Sequence, residues 1–360
     1  MNMMGKIGIS LIWVFWMMSV SAVEGQVTSE YNPTHGSTFD RVNKRGYVIC
    51  GTNDEFPGFS RESWSSEDGS RWGGFDVDIC RAIAAAMFGD AEAIEFTIVN
   101  GKTRFEFLID GSIDILSAAT TYTFTRNVAK KLEFMPTTFY DGQGFIVRKT
   151  LGVSSAKQME GARICFSGTG TAAKNIADFM ELHGISYIPV AVKSTEKTKN
   201  VYKRGDCDMY GTDRSGLASN RLSFDDPDRH MILPEIISKE PLGPVVRYGD
   251  QKWSDVIRWT VYVLFIAEEM GINSQNIDSF KNNIDPNIQR FMGEKNGKDH
   301  PHLGAKLGLG ATWSYNIIKQ VGNYREIYER NVGENTSLGL KRGLNRLYNH
   351  GGLLYAPPLK

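Results

Sequence analysis

The sequence has little that would tie it to nucleic acid, a bilayer or a metal ion. Its 41 lysines and arginines equal its 41 aspartates and glutamates, so no net charge attracts nucleic acid or an anionic membrane. The four cysteines show no CxxC spacing, and the six histidines do not cluster with them, which argues against a zinc site. We therefore expect no metal, no cofactor and no nucleic-acid partner.

The sequence also lacks a convincing transmembrane segment. The apolar run at Ile7–Val20 is shorter than the roughly 20 residues that span a bilayer. It follows Lys6 and precedes Ser21-Ala22, the pattern of a secretory signal peptide, which we expect over residues 1–22. An uncleaved anchor is the alternative. The polar stretch that follows predicts a flexible leader over residues 23–40.

Four cysteines in an exported chain favour two disulfides, of which three pairings exist. We favour Cys50–Cys80 and Cys165–Cys207, because each then closes within one half of the chain. Cys50 ends a predicted strand and Cys80 lies on the helix that must pack on it. Cys165 and Cys207 lie on predicted neighbouring strands. Four free buried thiols are the alternative.

Strand and helix patterns alternate along the rest of the chain, which is of ordinary globular composition. The first series has strands at 47–52, 94–100 and 113–119, with helices at 75–88 and 103–110 between them. A second series of the same kind runs from 162 to 213. Such βαβ series predict parallel sheets with crossover helices.

Two extended, glycine-bearing segments join the two series, near residues 140–148 and 240–250. This predicts an α/β protein of two lobes joined by two hinge crossings. We place lobe 1 at 41–140 and 246–360, including a helical C-terminal extension, and lobe 2 at 141–245.

A cluster of hydroxyls follows the strand at 113–119. The stretch TTYTFTR, Thr120–Arg126, contains no Gly, Asn or Pro to make a turn, but four threonines, a tyrosine and one arginine. Hydroxyl groups beside a single fixed cation predict a site for a small anion.

Longer motifs give the chain a family resemblance. They are GFDVDICRAIAAAMFGD, YDGQGF, EPLGPVVRYGD, WSYNIIKQVGNYREIYERNVG and GLLYAPP. From about Arg45 to Lys360 the chain resembles the periplasmic amino-acid-binding proteins of polar amino acid ABC transporters, and within them the general L-amino-acid-binding subunit. The resemblance implies a type II periplasmic binding protein fold that closes on its ligand.

The resemblance also implies which lobe 1 residues bind the ligand. The family has a carboxylate-binding arginine twelve residues after an aspartate, and Arg126 stands at that distance from Asp114. A guanidinium suits a carboxylate because it offers two parallel donors. Thr121 would add a hydroxyl and a backbone donor, and Ala119 would offer backbone groups. Ala118 and Ala119 depart from the Arg-Asn pair of the most similar subgroup, which puts the ligand range in question.

In lobe 2 the segment Ser167–Thr171 precedes a helix, whose N-terminus favours an anion. Thr169 and Gly170 are expected to donate to the carboxylate, and Thr171 to compensate for a second threonine that relatives have at Gly170. Asp213 stands where the family has its ammonium-binding aspartate, at the carboxyl end of a strand. The alternatives are a plain glycine-rich helix start, and a helix cap for Asp213.

Recognition of the ligand's side chain is assigned by position to Asn53, Arg104 and Phe59, or to Phe56 in place of Phe59. Arg104 is a cation that acidic-amino-acid relatives also carry, so it suits acidic or amide side chains. Aromatic residues in this segment are equally often part of a core.

The expected function is therefore that of a non-catalytic carrier. It would bind L-amino acids, broadly or with a polar, acidic or amide preference, and dock as a monomer on ABC importer permease subunits in the periplasm of a Gram-negative bacterium. One alternative is an amino-acid sensor domain. The other is a dehydratase-type enzyme on the same fold, which would need a general acid or base at the reacting carbon.

Overall fold

The structure is a computed structural model, and it describes residues 36–54, 56–62, 72–168, 170–294 and 302–360. The expected signal peptide and most of the expected leader lie outside these residues. The last part of that leader is helical, because α1 begins at Thr38. Phe39 and Val42 of this helix are buried, and the Thr38 N–H donates to Asp250 Oδ2 at 2.7 Å, so the fold already includes this segment.

Fourteen strands and eleven α-helices lie in the described residues. The strands are β1 Val48–Thr52, β2 Arg61–Glu62, β3 Trp72–Gly73, β4 Ile94–Ile98, β5 Ile115–Leu116, β6 Leu132–Phe134, β7 Phe139–Asp141, β8 Gln143–Arg148, β9 Ala162–Ser167, β10 Tyr187–Val192, β11 Met209–Asp213, β12 His230–Ile232, β13 Glu240–Leu242 and β14 Val245–Arg247. The helices are α1 Thr38–Arg45, α2 Phe75–Phe88, α3 Arg104–Asp110, α4 Ala172–Leu182, α5 Thr195–Lys203, α6 Arg214–Leu222, α7 Gln251–Glu269, α8 Pro286–Met292, α9 Leu303–Leu307, α10 Trp313–Val321 and α11 Tyr324–Asn331.

The first sheet has the strand order β4-β1-β5-β14-β6. Strand β1 pairs in parallel with β4 and β5, as the βαβ pattern predicts, and β14, which follows the second series in the chain, adds an antiparallel strand. Helix α2 packs on β1, and the predicted disulfide Cys50–Cys80 joins them with 6.3 Å between the Cα atoms.

The second sheet repeats this arrangement with the order β10-β9-β11-β8-β12. Strands β10, β9 and β11 are parallel, and β8 is antiparallel to β11. The predicted bridge Cys165–Cys207 closes here, with 5.8 Å between its Cα atoms. Both disulfide predictions are thus confirmed.

Two chain segments cross between the sheets. Strands β7 and β13 lie in these crossings and pair antiparallel, with Asp141 opposite Glu240. They lie in or beside the two glycine-bearing segments that the sequence marks as joints, which confirms the two predicted crossings. Ligands of open α/β sheets bind at the carboxyl ends of parallel strands, so a site is expected between the two sheets and beside this pair.

The C-terminal part of the chain packs mainly against the first sheet's helices. Helix α10 lies along α2, and α7 contacts both α2 and α11. Beyond the helices, the C-terminal segment reaches the crossing strand β7. The Tyr140 N–H donates to Asn345 Oδ1 at 2.6 Å, and Asn345 Nδ2 donates to the Tyr140 carbonyl at 3.1 Å. One side-chain amide therefore occupies both backbone groups of Tyr140.

Candidate ligand-binding site

Strand β5 is shorter than its sequence pattern predicts, and the site begins where it ends. The predicted strand 113–119 is a ladder strand only at Ile115–Leu116. Ala119 has φ +44°, a left-handed conformation that bends the chain away from the sheet. The next residues turn to the second crossing instead: Thr121 forms an isolated bridge with Leu242, and the Gly243 N–H donates to the Thr120 carbonyl at 3.2 Å.

Arg126 lies in a π-helical turn, Thr125–Ala129, with its side chain directed inward. It is 8% exposed, and its Nη1 donates to the Thr121 carbonyl at 2.7 Å. Burial lowers the pKa of Arg126, while Glu240 and Asp213 oppose that shift. No carboxylate of the described residues forms an ion pair with it. A buried cation with donors to spare is costly unless an anion joins it.

A second cation lies beside the first. The Arg104 guanidinium carbon is 4.7 Å from the centre of the Phe105 ring, and that of Arg126 is 5.5 Å from the same centre. Burial and the charge of Arg126 lower the pKa of Arg104 to about 9, against an opposing effect of Asp213. Its Nε is buried and has no hydrogen-bond partner among the described residues.

Asp213 supplies the opposite charge from the second sheet. It ends β11 and stands at the N-cap position of α6, but its side chain makes no capping hydrogen bond. Asp141 takes that role from the first crossing: its Oδ2 accepts from the Ser215 N–H at 3.2 Å and from the Ser215 hydroxyl. The helix-cap alternative for Asp213 therefore finds no support, and its carboxylate is left for another partner.

The pKa of Asp213 is raised well above its ordinary value. Burial is the main cause, and the negative charges of Asp141 and Glu240 add to it, while Arg126 and Arg104 act against it. Arg104 at the start of α3, Arg126 in its π-helical turn and this carboxylate at the end of β11 thus share one electrostatic environment. An ammonium group placed there would favour the ionised form of Asp213.

The start of α4 is connected to the crossing strands. Glu240 is 1% exposed, and its carboxylate accepts from Asn175 Nδ2 at 2.8 Å, from the Ser238 hydroxyl at 2.8 Å and from the Thr171 hydroxyl at 3.3 and 3.4 Å. The Thr171 hydroxyl is therefore already bonded. Gly170 is exposed at the loop before α4, and Thr169 lies outside the described residues.

The structure corrects two of the sequence assignments. Phe59 is 1% exposed and packs between Phe75 and Phe139 in the core, so its ring offers no surface to a ligand. Phe56, stacked on Phe59 at 4.4 Å, is the partly exposed ring of this pair. Of the backbone groups that Ala119 was expected to offer to a ligand, the N–H donates instead to Asp76 at 2.9 Å.

Asn53 lies half-buried at the end of β1, where its Oδ1 accepts from the Ser60 hydroxyl at 2.9 Å. Its amide nitrogen has no hydrogen-bond partner among the described residues. Thr123 has a structural role, as its hydroxyl accepts from the Arg126 N–H at 3.2 Å.

Three carboxylates around the site were not singled out from the sequence: Asp76, Asp141 and Glu240. Asp141 and Glu240 do occur inside the quoted family motifs of the two joints, and Asp76 inside the motif of α2. Each is a polar residue in an apolar segment that must be buried, and this pattern could have indicated them in the sequence. In the part of the chain that the structure describes, no group of His, Cys, Asp or Glu is arranged to hold a metal ion, and no helix has the length and apolar content to cross a membrane.

Comparison with known proteins agrees with this architecture. Residues 48–334 match the family of bacterial extracellular solute-binding proteins, family 3. The general L-amino acid-binding periplasmic protein AapJ of Rhizobium johnstonii is 46% identical over 90% of this chain and 93% of its own length. The glutamate/glutamine/aspartate/asparagine-binding protein BztA of Rhodobacter capsulatus is 42% identical over 90% and 94%.

A solved structure shares nearly the whole fold. It is an ABC transporter periplasmic binding protein from Brucella ovis with glutathione bound, 42% identical, with a TM-score of 0.85 over 91% of this chain and 100% of that one. The two α/β lobes with two crossings are thus the type II periplasmic binding protein fold, as the sequence motifs imply. The chain therefore belongs to the bacterial extracellular solute-binding proteins, family 3.

Proposed function

We propose that this protein captures L-amino acids between its two lobes and delivers them to the permease subunits of an ABC-type importer. One observation carries the proposal. Arg126, in the turn between β5 and β6, and Asp213, at the end of β11, are buried or partly buried charges of opposite sign, near enough to shift each other's pKa. Neither has an ion-pair partner within the described residues.

A free amino acid matches these two charges. Its carboxylate would accept the unused donors of Arg126, and its ammonium would pair with Asp213. Each contact needs a group on a different lobe, so a bound ligand holds the lobes together. This is the physical basis of hinge closure on a ligand. Gly170 and the start of α4, with Thr169 and Thr171, would add backbone donors to the carboxylate.

A second buried cation supports a polar, acidic or amide preference within a broad range. The Nε of Arg104 is buried and has no hydrogen-bond partner among the described residues. A side-chain carboxylate or amide oxygen would use Arg104, with Asn53 beside the cleft as a further polar contact. The names of the relatives from Rhizobium and Rhodobacter fit either a general or an acidic-and-amide carrier.

We further propose the cellular setting of this carrier. Residues 1–22 would be a signal peptide that exports the protein to the periplasm of a Gram-negative bacterium, followed by a leader up to α1. The protein would act as a monomer, with lobe 1 formed by 41–140 and 246–360 and lobe 2 by 141–245. It would be a carrier without catalytic activity, so incubation with arogenate or prephenate should yield no aromatic product.

A thermal-shift panel tests the proposal. Protein refolded to remove bound ligand is measured with each of the twenty L-amino acids and with their D-forms as controls. A ligand at about 1,000 times its Kd adds roughly 4 kcal/mol of stability, which gives a clear shift. Shifts with many L-amino acids indicate a general carrier, and shifts confined to glutamate, aspartate and their amides a narrow one. No shift with any of the twenty would refute the proposal.

A further inference from the structure

Asp76 is a buried carboxylate at the start of α2, and it holds the segment that leads to the site. It is 5% exposed, and its two oxygens have different partners. The Ser117 hydroxyl donates to Oδ1 and the Ala119 N–H donates to Oδ2, both at 2.9 Å. No cation forms an ion pair with it within the described residues. Burial raises the pKa of Asp76 to about 6.

The residue that Asp76 holds has an unfavourable backbone conformation. Ala119 has φ +44°, a region that alanine ordinarily avoids because its Cβ comes too close to the carbonyl oxygen. The left-handed state of such a residue is about 5- to 30-fold less populated than an ordinary one. The hydrogen bond from Ala119 to Asp76 is a contact that favours it.

The bend at Ala119 sets the path of the next residues. The Thr120 carbonyl accepts from Gly243 of the second crossing at 3.2 Å, and the Thr121 carbonyl accepts from Arg126 Nη1 at 2.7 Å. If Ala119 relaxed to an ordinary φ, both carbonyls would rotate, and Arg126 would lose the acceptor that fixes its guanidinium.

We propose that Asp76 is a positioning residue for ligand binding, which fixes the left-handed bend at Ala119 and thereby the orientation of Arg126. This inference rests on the proposed function, since it assumes that Arg126 binds the ligand. It assigns to Asp76 no contact with the ligand.

Three variants, with Ala119→Gly alone as the reference for the double variant, separate this role from a purely structural one. Asp76→Leu keeps the approximate size of the side chain and removes both acceptors. Asp76→Asn keeps an oxygen for the Ala119 N–H and an amide that can donate to the Ser117 hydroxyl. The double variant Asp76→Leu with Ala119→Gly removes the acceptors but lets residue 119 adopt the left-handed conformation freely.

Isothermal titration calorimetry with L-glutamate, L-glutamine and L-alanine measures the effect on the folded proteins. We expect Asp76→Leu to raise every Kd by about tenfold or more, and Asp76→Asn to stay within about threefold of the parent. Adding Ala119→Gly to Asp76→Leu should return the Kd values to within about threefold of those of Ala119→Gly alone, because glycine needs no help to form the bend.

Asp78→Asn is the matched control. Asp78 is a buried carboxylate on the same helix, but it pairs with Arg330 and Asn331 of α11 and not with the segment that leads to Arg126. Its loss should lower the melting temperature and leave the Kd values unchanged. Unchanged Kd values in folded Asp76→Leu, or an equal rise in Asp78→Asn, would overturn the inference. If Asp76→Leu does not fold, the double variant with Ala119→Gly decides: a double variant that regains neither folding nor affinity would overturn the inference. A parent that binds none of the amino acids would instead refute the proposed function.

Discussion

Replacement of Arg126 by alanine is the most direct test of the site. Arg126 is 8% exposed, and one nitrogen of its guanidinium is already bonded to the Thr121 carbonyl. A ligand carboxylate would form its charge-assisted bonds with the remaining donors, in a place where water competes little. Removing one member of such a buried charge pair costs roughly 3–5 kcal/mol.

This free energy corresponds to an increase in Kd of about 150- to 5,000-fold. We expect a result near the lower end, because Arg104 beside it still attracts the carboxylate. The loss should be similar for all amino acids that bind, since the α-carboxylate is common to them. Titration calorimetry on protein freed of ligand, at several L-amino acids, measures both the size and the uniformity of the effect.

Arg258→Ala is a suitable control for this substitution. Arg258 is also a partly buried arginine, but on α7 it pairs with Glu133 at 2.9 Å and Asp255 at 2.7 Å. Its removal should lower stability without a change in affinity. Unchanged affinity in Arg126→Ala, or a loss that differs strongly from one ligand to another, would refute the assignment of Arg126 to the common carboxylate.

Four more predictions concern Arg104, Asp213 and the second disulfide. Arg104→Gln should weaken glutamate and aspartate by about tenfold or more and small apolar amino acids little, in the same calorimetric assay; equal weakening of all ligands would show that Arg104 does not read the side chain. The pKa of Asp213 is raised in the free protein, and a bound ammonium would lower it. Ligand affinity should therefore fall as the pH drops through the raised pKa, and binding should release protons. The variant Asp213→Asn should abolish this proton release. In the unliganded protein the same raised pKa makes Asp213 lower the free energy of unfolding as the pH rises from the pKa of this carboxyl in the unfolded chain to its pKa in the folded protein. Urea unfolding at several pH values measures this decrease. Replacing Cys165 and Cys207 by serine removes a disulfide between residues 42 apart in sequence and should lower the free energy of unfolding by roughly 4 kcal/mol. An unchanged urea midpoint would show that this disulfide does not stabilise the fold.

The fold was largely predictable because it follows from local patterns. The helix predicted at 75–88 is α2 with the same bounds, and the strand that contains Cys50 pairs in parallel as its βαβ context requires. The pairing of the cysteines followed from the same reasoning, since a crossover helix must pack on its own strand. The two extended, glycine-bearing segments predicted the two crossings, and the family motifs then implied the type II fold.

Features that depend on contacts between distant segments were not predictable in this way. An alanine in the left-handed region, such as Ala119, is rare, and its N–H donates to a carboxylate 43 residues earlier in the chain. The sequence around Phe56 and Phe59 likewise does not show which of the two rings is buried. Only the packing of Phe75 and Phe139 places Phe59 in the core. The roles assigned to Arg126, Arg104 and Asp213 stay predictions, although the structure brings their charges together.

The order of the disulfides along the chain has a consequence for how the protein matures. Cys50 pairs with Cys80 and Cys165 with Cys207, so each bridge joins two cysteines that are consecutive in the sequence. An exported chain that emerges N-terminus first presents these pairs one after the other. An oxidase that links each new thiol to the preceding free one would therefore form both native bridges directly, and no later exchange between wrong partners would be required.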